Sequence, residues 1–190
     1  AVFTEAVGAE IYSILSLEIL KKNKNRPLIY QHCPSIVEYI KIFYPNLIEH
    51  FMPLNSPTLI TAKLVREIFN YEGNIAYIGP CLSKKIEFID TDTSNLVQFN
   101  ITFESLEKYI KEHNINIEIY EKTDFDIFPA ESAYTFCNNR GFAPLIERFS
   151  KNFKIRNIEG NEIYFNYLKE LSEAITVNSQ QLPDFIDILN

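Results

Sequence analysis

The chain of 190 residues carries 25 acidic and 18 basic side chains, a net charge of −7, with 46% hydrophobic and 14% aromatic residues. That is enough apolar material for one domain or two small lobes with a sizeable core, and it excludes disorder; the negative charge argues against nucleic acid or an anionic membrane as partner. No apolar run approaches the roughly 20 residues of a membrane span and no signal peptide is visible, while three scattered cysteines suit reduced thiols in a cytoplasmic setting better than a disulfide framework.

Gly8 to Leu20 is apolar on most sides, through Ala9, Ile11, Ile14, Leu15, Leu17 and Ile19, and reads as a buried helix. Lys21 to Asn25 is its solvated end, with bases at the negative pole of the helix. Leu28-Ile29-Tyr30 reads as a short buried strand leading to Cys33. Pro34 suits a first helical position, and Ile36, Val37, Ile40 and Phe43 mark an apolar face that runs until Pro45 ends the helix. Ser56-Pro57 repeats the pattern of cap then proline for a helix carrying Ile60, Leu64, Val65 and Ile68. A turn from Asn70 to Asn74 feeds the apolar run Ile75 to Ile78, which ends in Gly79-Pro80-Cys81. The order strand, helix, helix, strand favours parallel α/β layers over a meander.

Asp90 to Asn95 is a polar loop and a candidate boundary between lobes 1–90 and 91–190. A strand at Leu96 to Phe99, an N-cap at Thr102 and a helix with Phe103, Leu106 and Ile110 follow. Ile115 to Tyr120 reads as an edge strand. Tyr134 to Cys137 leads into a polar turn, Asn138 to Gly141, and a helix with Phe142, Leu145, Ile146 and Phe149. A strand from Lys154 to Ile158, a turn at Glu159-Gly160, a helix with Tyr164, Tyr167, Leu168 and Leu171, and a strand from Asp184 to Leu189 complete the series. The first helix begins almost at Ala1, the only methionine is Met52, and the last strand stops one residue before Asn190. Both ends read as cuts from a longer protein.

Two cysteines sit where chemistry is expected. Cys33 precedes a helix start, where unpaired N–H groups and the helix dipole favour an anionic sulfur. Cys81 lies where a buried strand meets a Gly-Pro turn, the crevice end of a parallel sheet, with Lys84 and Lys85 beside it to hold an anion. If the two strands are neighbours, both thiols face one cavity. The alternative from composition alone is that both are inert core residues of a cofactor-free α/β binding module. Cys137, before a polar turn, reads as structural, and His50 and His113 lack metal-ligand spacing. There is no P-loop, G-x-G-x-x-G, G-x-S-x-G or C-x-x-C.

The stretches VFTEAVGAE, QHCPSIVEYIKIFYPNL, the NSP step at Asn55 to Pro57, IGPCLSKKIEF, FNITFESLEKYIKEHNI and IEGNEIYFNYLKEL together resemble the catalytic domain of iron-only (FeFe) hydrogenases. The likeness is closest to the hydrogenase-like domains of bacterial sensory and iron–sulfur multidomain proteins. The resemblance implies two small α/β lobes with parallel sheets flanked by helices. It also implies a 4Fe-4S cluster on four thiolates, two of them Cys33 in the C-P motif and Cys81 in P-C-x-x-K-K. The other two form a cysteine pair that would begin just after Asn190. Lys84 would contact a cyanide of an attached di-iron unit, and Ser56 of the NSP step would line the same cofactor. Active hydrogenases carry a proton-relay cysteine before the first ligand; here that position is His32. The family's double glycine reads Arg140-Gly141. Both departures lean towards a sensor of hydrogen or redox state, or an electron carrier, joined to other iron–sulfur or signalling domains of one chain. The alternative implied is a working hydrogenase with ferredoxin as electron partner. The 190 residues by themselves are expected to hold no stoichiometric cluster and to be inactive.

Overall fold

The computed structural model describes residues 1–22, 27–30, 32–90, 93, 96–136, 142–177 and 182–189. Two parallel sheets organise them. The larger has the order β1 (Leu28–Tyr30), β5 (Phe185–Leu189), β4 (Ile155–Glu159), with Tyr30 and Asn157 in register on either side of Asp187. The smaller pairs β2 (Ala76–Gly79) with β3 (Phe99–Thr102), Ala76 opposite Phe99.

β1 is covered on both faces and buried at every position, whereas β4 carries Arg156 and Asn157 between its isoleucines. Leu28, Tyr30 and Phe185 point towards α1 (Glu5–Lys22) and α6 (Phe142–Phe149), joining Tyr12, Leu20 and Phe142 in one core. The alternate residues Ile29, Ile186 and Ile188 face the other way, towards α2 (Pro34–Phe43) and α7 (Asn161–Thr176), with Ile36, Ile40, Leu168 and Leu171. This is the two-residue period of a strand. Each such side chain contributes roughly 1.5–3 kcal/mol by leaving water.

α3 (Pro57–Phe69) is shared between the sheets: Ile60 and Leu64 lean on the large core, while Leu59 and Ala62 pack with Phe88 and Val97 under the small sheet. It crosses α1 closely at Gly8, where any Cβ would collide with the Pro57 carbonyl and Thr61 Oγ1. The α1 side turned inward is Ala6, Val7, Ala9, Tyr12, Ser13 and Ser16, whereas Ile14 and Leu15 are exposed. With Leu17 and Leu20 also buried, the helix hides one side, of small and large residues together, and is not buried all round. No helix among the described residues is long and apolar enough to cross a membrane.

In the larger sheet β1 pairs with β5 near residue 185, and in the smaller β2 runs through α4 (Lys84–Phe88) to β3. Several boundaries differ from expectation. The strand expected at Leu96 to Phe99 lies three residues later: Leu96 and Val97 serve the small core, and pairing begins only at Phe99. After α5 (Phe103–Glu112), Ile115 to Tyr120 forms a 3-10 turn, Ile117–Ile119, instead of an edge strand. There the Asn116 side chain accepts the Glu118 N–H at 3.0 Å, a local bond that competes with extended pairing.

Candidate metal centre

β1 delivers the chain to His32 and Cys33, and α2 begins at Pro34. Cys33 flanks that helix start in an extended conformation, and its carbonyl accepts the N–H groups of Ile36 at 3.0 Å and Val37 at 3.2 Å. Its thiol makes no cap; the half-buried side chain packs against the core on the α2 and α7 face. Cys81, also half-buried, lies in the turn between β2 and α4. Its Sγ is 2.8 Å from Ser83 Oγ, and its carbonyl accepts from Asn100 Nδ2 at 3.0 Å. β1 and β2 are in different sheets, so the convergence of neighbouring strand ends expected for the two cysteines does not occur.

Lys84 joins the two motifs instead. It is only 6% exposed, and its ammonium donates to the His32 carbonyl at 3.2 Å and pairs with Glu87 Oε2 at 3.0 Å. A buried ammonium must be met in this way, because an unpaired charge out of water is costly. The bond ties the turn after Cys81 to the residue before Cys33. Lys85, expected to share the role, is exposed.

His32 stacks on Tyr30, ring centroids 4.8 Å apart, and its Nδ1 is buried with no hydrogen-bond partner. Burial first, and the Lys84 charge second, push its pKa down to about 4. The imidazole is therefore neutral at physiological pH, with one ring nitrogen free to accept and the other to donate. His32 and Glu87 share the wall of a cleft of about 300 Å³ with Asn55, Ser56, Leu59 and Val37. Ser56 is itself buried, and its hydroxyl caps α3 by accepting the Leu59 N–H at 3.4 Å. Cys33 and Cys81 do not line this cleft.

The donor chemistry fits part of a thiolate-bound cluster: two free thiols, a buried cation between their motifs and a neutral imidazole beside one of them. Among the described residues no group of three or more His, Cys, Asp or Glu could hold a metal ion. Cys137 and the Arg140-Gly141 departure lie outside the described residues. His50 is a core residue whose Nδ1 lies 2.9 Å from the Pro27 carbonyl, and His113 stacks on Tyr109 at the surface. Glu87, Ser83 and Asn100 received no role from the sequence. Glu87 stands at i+3 from Lys84 and Ser83 two residues after Cys81, spacings that local sequence could have exposed; Asn100 reaches Cys81 only through the pairing of β3 with β2.

The sequence matches the family described as iron only hydrogenase large subunit, C-terminal domain, over residues 1–185. The chain belongs to that family. Among solved structures, this hydrogenase-family chain is similar to a variant of apo FeFe-hydrogenase HydA1 from Chlamydomonas reinhardtii, with a TM-score of 0.62 and 14% identity over 97% of this chain and 65% of that one. It is also similar to HydA(deltaEFG), a FeFe-hydrogenase structure on stepwise H-cluster assembly, with a TM-score of 0.61 and 15% identity over 97% of this chain and 64% of that one. At such identities these likenesses speak for the fold alone, and the chain spans under two thirds of those structures. No curated protein matches.

Proposed function

We propose that this hydrogenase-like domain holds part of an iron–sulfur centre in a larger protein and serves to sense hydrogen or redox state or to pass electrons. Cys33 and Cys81 supply two thiolates of a 4Fe-4S cluster, and the remaining thiolates come from outside the described residues. A bound cluster supplies one-electron storage. The reading is carried by the Lys84 ammonium bridging the Cys81 turn to the His32 carbonyl, which brings the two thiol motifs into one neighbourhood. Lys84 gives that neighbourhood fixed positive charge, suited to an anionic cofactor such as a di-iron unit, with Ser56 in the adjoining wall. His32 is a neutral imidazole able to take or give a proton at the cleft, in place of the family's relay cysteine. Its reach and bulk differ from a thiol's, which favours sensing over rapid turnover.

The partners that fit are other iron–sulfur or signalling domains of the same polypeptide in the cytoplasm, without nucleic acid or membrane. Full-length protein matured anaerobically should show cluster absorbance that disappears in Cys33→Ser and in Cys81→Ser. A cluster that persists in both variants ends this assignment. The second reading, a working hydrogenase fed by ferredoxin, draws on the free Nδ1 of His32 at the cleft. Hydrogen evolution from reduced viologen, with infrared bands of a di-iron unit, selects it; their absence leaves the sensory reading.

A further inference from the structure

We propose that Ser83 and Asn100 form a hydrogen-bonding frame around Cys81 that fixes its sulfur and raises the reduction potential of the iron–sulfur group held there. The inference rests on the reading of Cys81 as a cluster ligand. Ser83 occupies the N-cap of α4, where a serine hydroxyl ordinarily turns to the free N–H groups of the first helical turn. Here it makes no such bond; its Oγ is directed to Cys81 Sγ at 2.8 Å. In the thiol either atom can be the donor. A metal-bound sulfur has lost its proton, so only the hydroxyl can then donate.

Asn100 holds the same turn from the neighbouring strand. Its Nδ2 donates to the Cys81 carbonyl at 3.0 Å and the Leu82 carbonyl at 3.2 Å, while its Oδ1 is buried with no partner. A leucine of similar shape would avoid that unanswered acceptor but would lose both bonds to the cysteine turn. Cys33 has no equivalent frame: its own carbonyl is engaged by helix N–H groups, and no hydroxyl or amide is bonded to its thiol among the described residues. The two ligands are therefore unequal, and the hydrogen-bonded sulfur is at Cys81.

Reducing a cluster adds one electron from an external one-electron donor and increases the negative charge on its sulfurs. A hydroxyl donating to one of them stabilises that charge, so the frame favours the reduced state. The test is a dithionite redox titration of the full-length cluster-loaded protein, followed by EPR at fixed pH. Ser83→Ala should lower the equilibrium constant for cluster reduction about three- to tenfold. Ser83→Thr, which keeps a hydroxyl, should stay near the parent. In the apo full-length protein, Asn100→Leu should speed maleimide labelling of Cys81 several-fold and leave Cys33 unchanged.

A loaded Ser83→Ala protein with the parent's potential overturns the tuning role. Ser83→Thr behaving as Ser83→Ala overturns the assignment to the hydroxyl. Unchanged labelling of Cys81 in Asn100→Leu overturns the part given to Asn100. If the parent itself assembles no cluster, the reading of Cys81 falls and this inference falls with it, an outcome distinct from the other three.

Discussion

Replacing Lys84 by methionine keeps the length of the side chain and removes its charge. The ammonium is 3.0 Å from Glu87 and 3.2 Å from the His32 carbonyl, with the Lys84 and Glu87 side chains 8% and 17% exposed. At 3.0 Å and an effective dielectric of about 20, the gross attraction is about 5 kcal/mol. Much of that is offset by taking both groups out of water. Losing Lys84 leaves a carboxylate and a carbonyl poorly solvated, and Lys84→Met should destabilise by about 2–4 kcal/mol. The reverse change, Glu87→Gln, leaves the ammonium with the carbonyl and should cost less. The double variant should recover about 1–3 kcal/mol relative to the sum of the single changes. The assay is a double-mutant cycle by urea denaturation, repeated at low and high salt. A pair this enclosed is weakly screened, so the coupling should survive added salt. Coupling indistinguishable from zero, or lost in salt, would refute the view that Lys84 is the internal tie between the two cysteine motifs.

Other outcomes follow from the same geometry. His32 has a folded pKa of about 4 against 6.5 when unperturbed, so the folded state favours the neutral ring. Its contribution is complete above about pH 6.5 and is lost as pH falls towards 4, by up to about 3 kcal/mol. His32→Gln should flatten the acid side of a stability–pH profile, and a parallel profile would contradict this. Phe142, fully buried against Tyr30, Tyr12 and Phe185, should cost about 3–5 kcal/mol as alanine, measured by thermal or urea unfolding. Gly8→Ala should cost about 1–3 kcal/mol through the collision of α1 with α3, and an unchanged melting temperature would show that the helices can part freely. Ser56→Ala should cost about 1 kcal/mol as a lost cap; a much larger loss of cluster than of stability would assign Ser56 to the cofactor.

Local chemistry was the legible part of this chain. Pro34 and Pro57 at helix starts, Ser56 and Thr102 as caps with their hydroxyls on Leu59 and Ser105, and the Gly160 turn before α7 all lie where residue type alone puts them. What could not be read was partnership at long range. Nothing near Tyr30 announces that its strand neighbour is Asp187, or near Ala76 that it is Phe99. That Cys33 and Cys81 follow strands of different sheets is a consequence of that pairing. Ile115 to Tyr120 misled because alternating apolar residues imitate a strand whether or not another strand is available to pair with it. Lys84 and Lys85 are equivalent in sequence, and only the fold decides that the first turns inward and the second outward.

The position of β5 between β1 and β4 has a bearing on how the protein is made. Residue 28 finds its partner at residue 185, and residue 155 finds the same one. The large sheet therefore cannot knit together until residues 185–189 have been made, long after β1. Until then Leu28, Ile29 and Tyr30 have no sheet to join, and Cys33, just beyond them, has no settled surroundings. Folds that depend on such distant pairing form slowly and leave sticky intermediates. A nascent chain of this kind would present Cys33 unguarded until β5 has been made and the sheet can close.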